Sequence, residues 1–190
     1  DNIGLMAFDS DIRRMVKPAK GTVHFQRLAE SLYNVDISET SADYEKAAGM
    51  CIEKGVAFIH SSNFSPGVNI LFRLNSMLAR YVSAYSEYKP YIEEVHHTRK
   101  LDSPSGTAIS LAKGICHEHS GFKGWCFENE QTEHHVPINA IREGMVPGTH
   151  IVEWDSPVDR LTIRHEAKNR KGLALGAIIA AEFINTRKGV

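Results

Sequence analysis

Hydrophobic and polar positions along the chain divide it into short apolar runs and longer periodic stretches. The run 3–8 reads as a strand, and Asp9-Ser10-Asp11 supplies caps for a helix continuing through Val16. Pro18 and Gly21 mark a turn. Residues 22–32 carry a helical pattern with Phe25, Leu28 and Leu32 aligned, and 42–54 form a second helix closed by Gly55. Val56, Ala57, Phe58 and Ile59 are continuously apolar, as in a strand buried in a parallel sheet. Ser65-Pro66-Gly67 opens a long helix to about residue 85, with Leu71, Leu74, Leu78, Tyr81 and Tyr85 as its buried stripe.

Past the Lys89-Pro90 break, residues 91–97 predict a strand, and Ser103-Pro104-Ser105-Gly106-Thr107 a helix start with hydroxyl caps and a proline suited to the first turn. That helix presents Ala108, Leu111, Ala112, Ile115 and Cys116 on one face. A loop-rich stretch follows at 119–131, then alternating strands at 136–141, 149–154 and 160–165. The closing helix, 173–185, is apolar nearly all round and needs burial on most sides. Strands gathered after a helix predict an α+β domain with an antiparallel or mixed sheet, following an α/β segment at the N-terminus.

Two places concentrate chemistry. Ser61, Ser62, Asn63 and Phe64 follow the strand at 56–59, where open α/β sheets bind ligands; a plain strand-to-helix turn would use the same residues equally well. The denser place is 94–108. On a strand, Ile92, Glu94 and His96 share one face, and Glu93, Val95 and His97 the other. The adjacent histidines serve one ligand only if the strand ends there. The helix start beyond offers free backbone N–H groups and a favourable dipole to an anion, and Gly106 permits close approach. Lys100 adds a positive charge, and either His96 or His97 supplies an imidazole, a side chain that ordinarily titrates near neutrality. Together these parts suit protonation of a substrate held by its carboxylates.

His96-His97-x-x-Lys100-x-Asp102-x-Pro104-Ser105-Gly106-Thr107-Ala108 resembles the signature of the dihydrodipicolinate reductases. The likeness continues in Arg142-Glu143-Gly144-x-x-x-Gly148-x-His150 and His165-Glu166-Ala167-x-x-Arg170, and upstream through Ser61-Ser62-Asn63-Phe64-Ser65-x-Gly67-Val68-Asn69. It covers residues from about 40 to the C-terminus. The resemblance implies reduction of 4-hydroxy-tetrahydrodipicolinate by NADH or NADPH, in the diaminopimelate route to lysine. A hydride goes to one end of a conjugated system and a proton to the other. By the same carry-over His96 is the general acid and Lys100 the carboxylate-binding catalytic lysine. His97, Gly106 and Thr107 contact a small dicarboxylate substrate, and Ser61, Ser62, Asn63 and Phe64 lie at the nicotinamide. The implied assembly is a homotetramer.

The domains expected on this basis are an abbreviated Rossmann-like cofactor domain over 1–66, with 170–190 returning to it, and a mixed-sheet substrate-binding and oligomerisation domain over 67–169. The family's glycine-rich phosphate loop has no counterpart: Ala7, Asp9 and Ser10 stand in that region, and Asp9 and Asp11 repel phosphate. Glu39-Thr40-Ser41 replaces a Gly-Thr-Thr segment. These departures motivate an alternative, a non-catalytic relative that keeps the substrate pocket and assembly surface but binds no dinucleotide.

Composition narrows the field further. A formal net charge of -1 argues against nucleic acid as a partner, and no run approaches the roughly 18 apolar residues of a membrane span. No signal-peptide pattern opens the chain, and Cys51, Cys116 and Cys126 form no C-x-x-C pair; reduced thiols and a cytoplasmic setting are expected. Ten histidines raise the question of a metal, but adjacent pairs on a strand diverge, so no metal site is expected.

Overall fold

In a computed structural model, residues 3–8, 10–33, 43–130, 132–184 and 187 are described. They fall into two compact units, residues 1–60 with 183–190, and residues 61–182.

In the first unit, β1 (Ile3–Phe8) pairs antiparallel with β2 (Ile12–Ala19). The helix expected up to Val16 is therefore a strand. Phe8 faces Ile12 across the turn, and the hairpin satisfies the backbone of β1, which a helix would have left unpaired. Pro18 lies in β2 beside a register shift, where a strand tolerates a missing donor. Two helices follow, α1 (Thr22–Tyr33) and α2 (Tyr44–Glu53). On α1 the buried positions include His24, Leu28 and Ser31, while Phe25 is exposed, so the stripe is turned from the expected one. Asp43 caps α2 by accepting from the Lys46 N–H at 2.9 Å, and Gly55 (φ +64°) ends it as expected. Val56 and Ile59 are exposed and 56–59 is not a strand. A parallel strand needs neighbours, and none of the described residues pairs with it. Asp9, Glu39, Thr40 and Ser41 lie outside the described residues.

The second unit is a five-stranded mixed sheet with helices on one face. Its elements are α3 (Pro66–Val82), β3 (Lys89–His96), α4 (Gly106–Glu118), β4 (Gly124–Phe127), β5 (His135–Arg142), β6 (Thr149–Asp155), β7 (Arg160–Glu166) and α5 (Lys171–Ile184). The strand order is β4-β5-β3-β6-β7; β4, β5 and β3 run parallel, and β3, β6 and β7 antiparallel. The mixed sheet and mixed α/β class match expectation; β4, inside the supposed loop region, does not. Four residues on a sheet edge are too few for a periodic signal.

Alternation along the strands builds the core. Ile92, Val136, Ile138, Val152 and Trp154 point to the helices and meet Leu71, Ala79, Val82, Ala108, Leu111, Ala112 and Ile115. The α4 stripe is the expected one. On α3 the buried face is Val68, Leu71, Asn75, Ala79 and Val82, and Leu74, Tyr81 and Tyr85 are exposed. The close approach to α4 needs small residues on the buried face, and Asn75 fills it by donating to the Leu111 carbonyl at 2.9 Å.

The closing helix also departs from expectation. Leu173, Leu175, Ile178, Ile179 and Phe183 are all exposed, and only Gly176 and Ala180 are buried. A Cβ on Gly176 would overlap the Phe64 carbonyl. That obstacle is backbone and cannot rotate away. Gly176→Ala is expected to destabilise the protein by roughly 1–3 kcal/mol, the usual cost of overpacking. Thermal unfolding checks this, and an unchanged melting temperature would mean that α5 does not hold the Phe64 loop.

Candidate active site

The site forms where β3 ends beside the start of α4. Alternation on β3 sends Ile92, Glu94 and His96 inward, so the apolar core continues into two polar residues. Glu94 has no exposed surface, and His96 keeps 10% of its side chain exposed. Glu94 Oε2 lies 2.6 Å from His96 Nδ1. Its other oxygen accepts from the Ser105 N–H at 2.9 Å and from Arg142 Nη2 at 3.0 Å. Burial alone would raise the Glu94 carboxyl; the hydrogen bonds from His96, Ser105 and Arg142 outweigh it and hold the group at about 2. A carboxylate therefore persists inside the domain.

Ser105 joins the same cluster twice. Its N–H goes to Glu94, and its hydroxyl caps α4 by accepting from the Ala108 N–H at 3.2 Å. The cap is two residues later than a helix with Pro104 in its first position would have it, so Pro104 precedes the cap. His150, on β6, places Nε2 3.4 Å from the Ser105 hydroxyl, and its ring lies edge-on to His96 with centroids 5.1 Å apart. Burial, reinforced by the charge of His96, depresses His150 to about 3, so it is neutral at physiological pH. Gly148 has φ +152°, and a Cβ there would come within 3.1 Å of His96 Nε2. Only glycine both adopts that backbone and leaves the imidazole edge open.

The two histidines diverge, as adjacent strand residues must. His97 points away from the core, with Nε2 2.7 Å from Arg170 Nη2. Arg170 can only donate, so His97 Nε2 accepts and the proton of the neutral ring sits on Nδ1. Desolvation, then the Arg170 charge, lowers its pKa. Lys100 Nζ is held by Asp102 at 2.6 and 2.8 Å. Burial opposes ionisation of Asp102, but the Lys100 ammonium wins and keeps that carboxyl below its ordinary range. Arg142 Nη2 also donates to the Asp102 carbonyl at 2.6 Å, tying the lysine loop to Glu94.

The loop at 61–65 lies against the start of α4. The Ser62 hydroxyl is 2.8 Å from that of Ser110, Asn63 Nδ2 donates to the Thr107 hydroxyl at 3.2 Å, and Ser62 borders Gly106. Ser61 and Asn63 also bond each other in a tight turn that starts α3, so the turn and the ligand reading coexist. Thus Ser62, Asn63, Gly106 and Thr107 are brought together on one side, and His96 with its partners on the other side of Ser105. Sequence reasoning had not singled out Glu94, Arg142, His150 or Arg170 as site residues. A glutamate in the inward register of a core strand was the available signal.

Glu94, His96 and His150 place ligand atoms within 4.8 Å of one another. The geometry alone would admit a cation. Both Glu94 oxygens are already engaged, and the Arg142 guanidinium beside them puts positive charge where an ion would sit. A dinucleotide's phosphates find no cradle among the described residues of the first unit. There β1 enters a hairpin instead of a strand–loop–helix turn, and Asp11, bonded to Lys46 at 2.8 Å, puts a carboxylate on that turn.

Residues 67–190 match the family model "Dihydrodipicolinate reductase, C-terminus". The 4-hydroxy-tetrahydrodipicolinate reductase of Christiangramia forsetii is 49% identical over 78% of this chain and 62% of its own length. That of Methanococcoides burtonii is 36% identical over 72% of this chain and 52% of its own. The chain thus spans little more than half the length of these relatives. Among solved structures, a dipicolinate-bound dihydrodipicolinate reductase from Paenisporosarcina sp. TG-14 matches with a TM-score of 0.56 and 22% identity, over 77% of this chain and 57% of that one; it supports the fold. The chain belongs to the dihydrodipicolinate reductase family, which it matches through the C-terminal, mixed-sheet domain.

Proposed function

We propose that this chain carries the substrate-binding and proton-donating half of a reductase for 4-hydroxy-tetrahydrodipicolinate. The reaction would serve the diaminopimelate route to lysine in the cytoplasm. The observation that carries this reading is the buried His96 at the end of β3, with Nδ1 2.6 Å from Glu94 Oε2 and the ring beside the capped start of α4. His96 protonates the substrate ring. Lys100 and the first N–H groups of α4, at Gly106 and Thr107, hold its carboxylates, and His97 borders the same anion. NADH or NADPH supplies the hydride. Ser61, Ser62, Asn63 and Phe64 would meet its nicotinamide end. On this chain's own residues the reading rests on the proton and the carboxylate grip.

The exposed sheet face opposite α3 and α4 suits the assembly. Tyr91, Val95, Pro137 and Ile151 alternate with the core residues there and are half-buried. A homotetramer built through that face would cover them.

Dicarboxylate affinity tests the reading directly. Lys100→Ala removes one charged hydrogen bond and leaves the Asp102 carboxylate facing the site. Loss of such a bond costs about 1.5–3 kcal/mol, so dipicolinate should bind roughly 10- to 100-fold more weakly in calorimetric titration. Turnover should fall as well. Equal affinity in the variant would take Lys100 out of the site.

A further inference from the structure

We propose that Glu94 is a positioning residue, which decides which nitrogen of His96 carries the proton and so makes His96 an acid at Nε2. The inference rests on the reading of His96 as the proton donor, and it assigns a role to a residue that never touches substrate.

The carboxylate is built in with no freedom. Glu94 Oε2 and His96 Nδ1 lie 2.6 Å apart, both are shut off from solvent, and among the described residues neither has a hydrogen-bond partner elsewhere. Glu94 Oε1 is fixed by donors that cannot reverse: the Ser105 N–H and the Arg142 guanidinium. The hydrogen on the His96–Glu94 contact must therefore come from the imidazole. Nδ1–H is held toward Glu94, and Nε2 is turned toward Gly148, where a Cβ would come within 3.1 Å of it and the missing side chain leaves room. When His96 is doubly protonated, Nε2 is the proton it gives up, and the neutral ring left behind is the Nδ1–H form that Glu94 already accepts. The carboxylate stabilises both the acid and its conjugate base in one orientation. Arg142 extends this control, because the same guanidinium nitrogen that fixes Glu94 also holds the Asp102 carbonyl, whose side chain carries Lys100. A single half-buried arginine thus ties the placement of the proton donor to that of the ammonium group.

Replacing Glu94 by glutamine gives a sharp outcome. The Ser105 and Arg142 donors still demand an oxygen at the Oε1 position, so the amide NH2 must occupy the Oε2 position and face His96. Nδ1 then has to accept, and the neutral ring moves its proton to Nε2. The ring becomes a poor acid, because the donor is now a neutral imidazole without the charge that drives proton release.

The experiment uses the full chain with 15N-labelled histidine. Long-range 1H–15N correlation separates Nδ1–H from Nε2–H rings, and the His96→Gln spectrum identifies the His96 signals. Expected are an Nδ1–H neutral ring in the wild type, an Nε2–H ring in Glu94→Gln, and retention of Nδ1–H in Glu94→Asp. Where turnover is measured, Glu94→Gln should lose about 10²- to 10⁴-fold in kcat, the range for disabling an acid through its tautomer. KM should stay within a few-fold, and Glu94→Asp should recover part of the loss. A neutral wild-type ring of His96 protonated at Nε2 instead of Nδ1 overturns the proposal even if Glu94→Gln fails to fold. So does an unchanged tautomer in a folded Glu94→Gln. Failure of dipicolinate to bind would strike the proposed function and leave the tautomer result standing, so the two ideas fail separately.

Discussion

His96→Gln is expected to lower kcat by more than a hundredfold while leaving dicarboxylate affinity within a few-fold of wild type. General acids contribute about 10²–10⁴ to rate, and glutamine has no proton to give. Its size and its amide still allow a hydrogen bond to Glu94, so the buried carboxylate at 2.6 Å is not left bare and the fold should survive. The proposed carboxylate grip is assigned to Lys100 and the start of α4, which the substitution does not touch. Loss of nicotinamide absorbance at saturating substrate gives kcat, and titration with dipicolinate gives affinity. Near-normal turnover would remove the proton donor from the proposed mechanism, whereas loss of affinity in parallel with kcat would make His96 a binding residue.

The parts of this site that could be read from residue order are those whose chemistry is local. The strand ending at His96, the turn, the serine cap and the apolar stripe of α4 all follow from patterns within about twenty residues. So does the divergence of His96 from His97. The partners that arrive from elsewhere were not legible in that way. Arg142 reaches Glu94 from β5, and His150 reaches Ser105 from β6, because the strand order β5-β3-β6 brings three distant segments side by side. Pairing β3 with β5 sets His96 opposite Arg142, and pairing it with β6 sets Glu94 opposite His150. A register of that kind is a property of the sheet and leaves no mark at either position alone.

The errors have the same origin. A strand over 56–59 was expected from four consecutive apolar residues, and burial of α5 from a nearly uncharged helix; in each case the composition states a need for cover without naming what provides it. The helix expected after Asp9 failed because a strand at Ile3–Phe8 needs a partner more than its successor needs to be helical.

Acid should unfold this protein earlier than an ordinary domain, and His150 is the main reason. Buried beside His96, it is depressed to about 3 in the folded state, against an ordinary histidine value near 6.5. Above pH 6.5 both folded and unfolded chains hold it neutral, and stability is full. As pH falls below 6.5 the unfolded chain takes up a proton that the folded chain refuses, so stability drops by about 1.36 kcal/mol per pH unit. From pH 6.5 to 4.5 that amounts to about 3 kcal/mol from one residue. His165, lowered by its own desolvation, adds to the slope. Below about 4.5 Glu94 contributes in the same direction: its folded carboxyl sits at about 2, so its stabilising ionisation is lost progressively as the pH falls toward that value. Against a typical net stability of about 5–15 kcal/mol, these losses bring the unfolding midpoint into the range of about pH 3–4.5. Urea unfolding at pH 7, 5.5 and 4.5 measures the slope. His150→Phe keeps an aromatic ring between His96 and His165 and removes the titrating group, so its stability should fall less than half as much over that interval. A wild-type stability that stays flat from pH 6.5 to 4.5 would mean that solvent reaches His150 in the folded protein, and that the polar cluster around Glu94 is open to water.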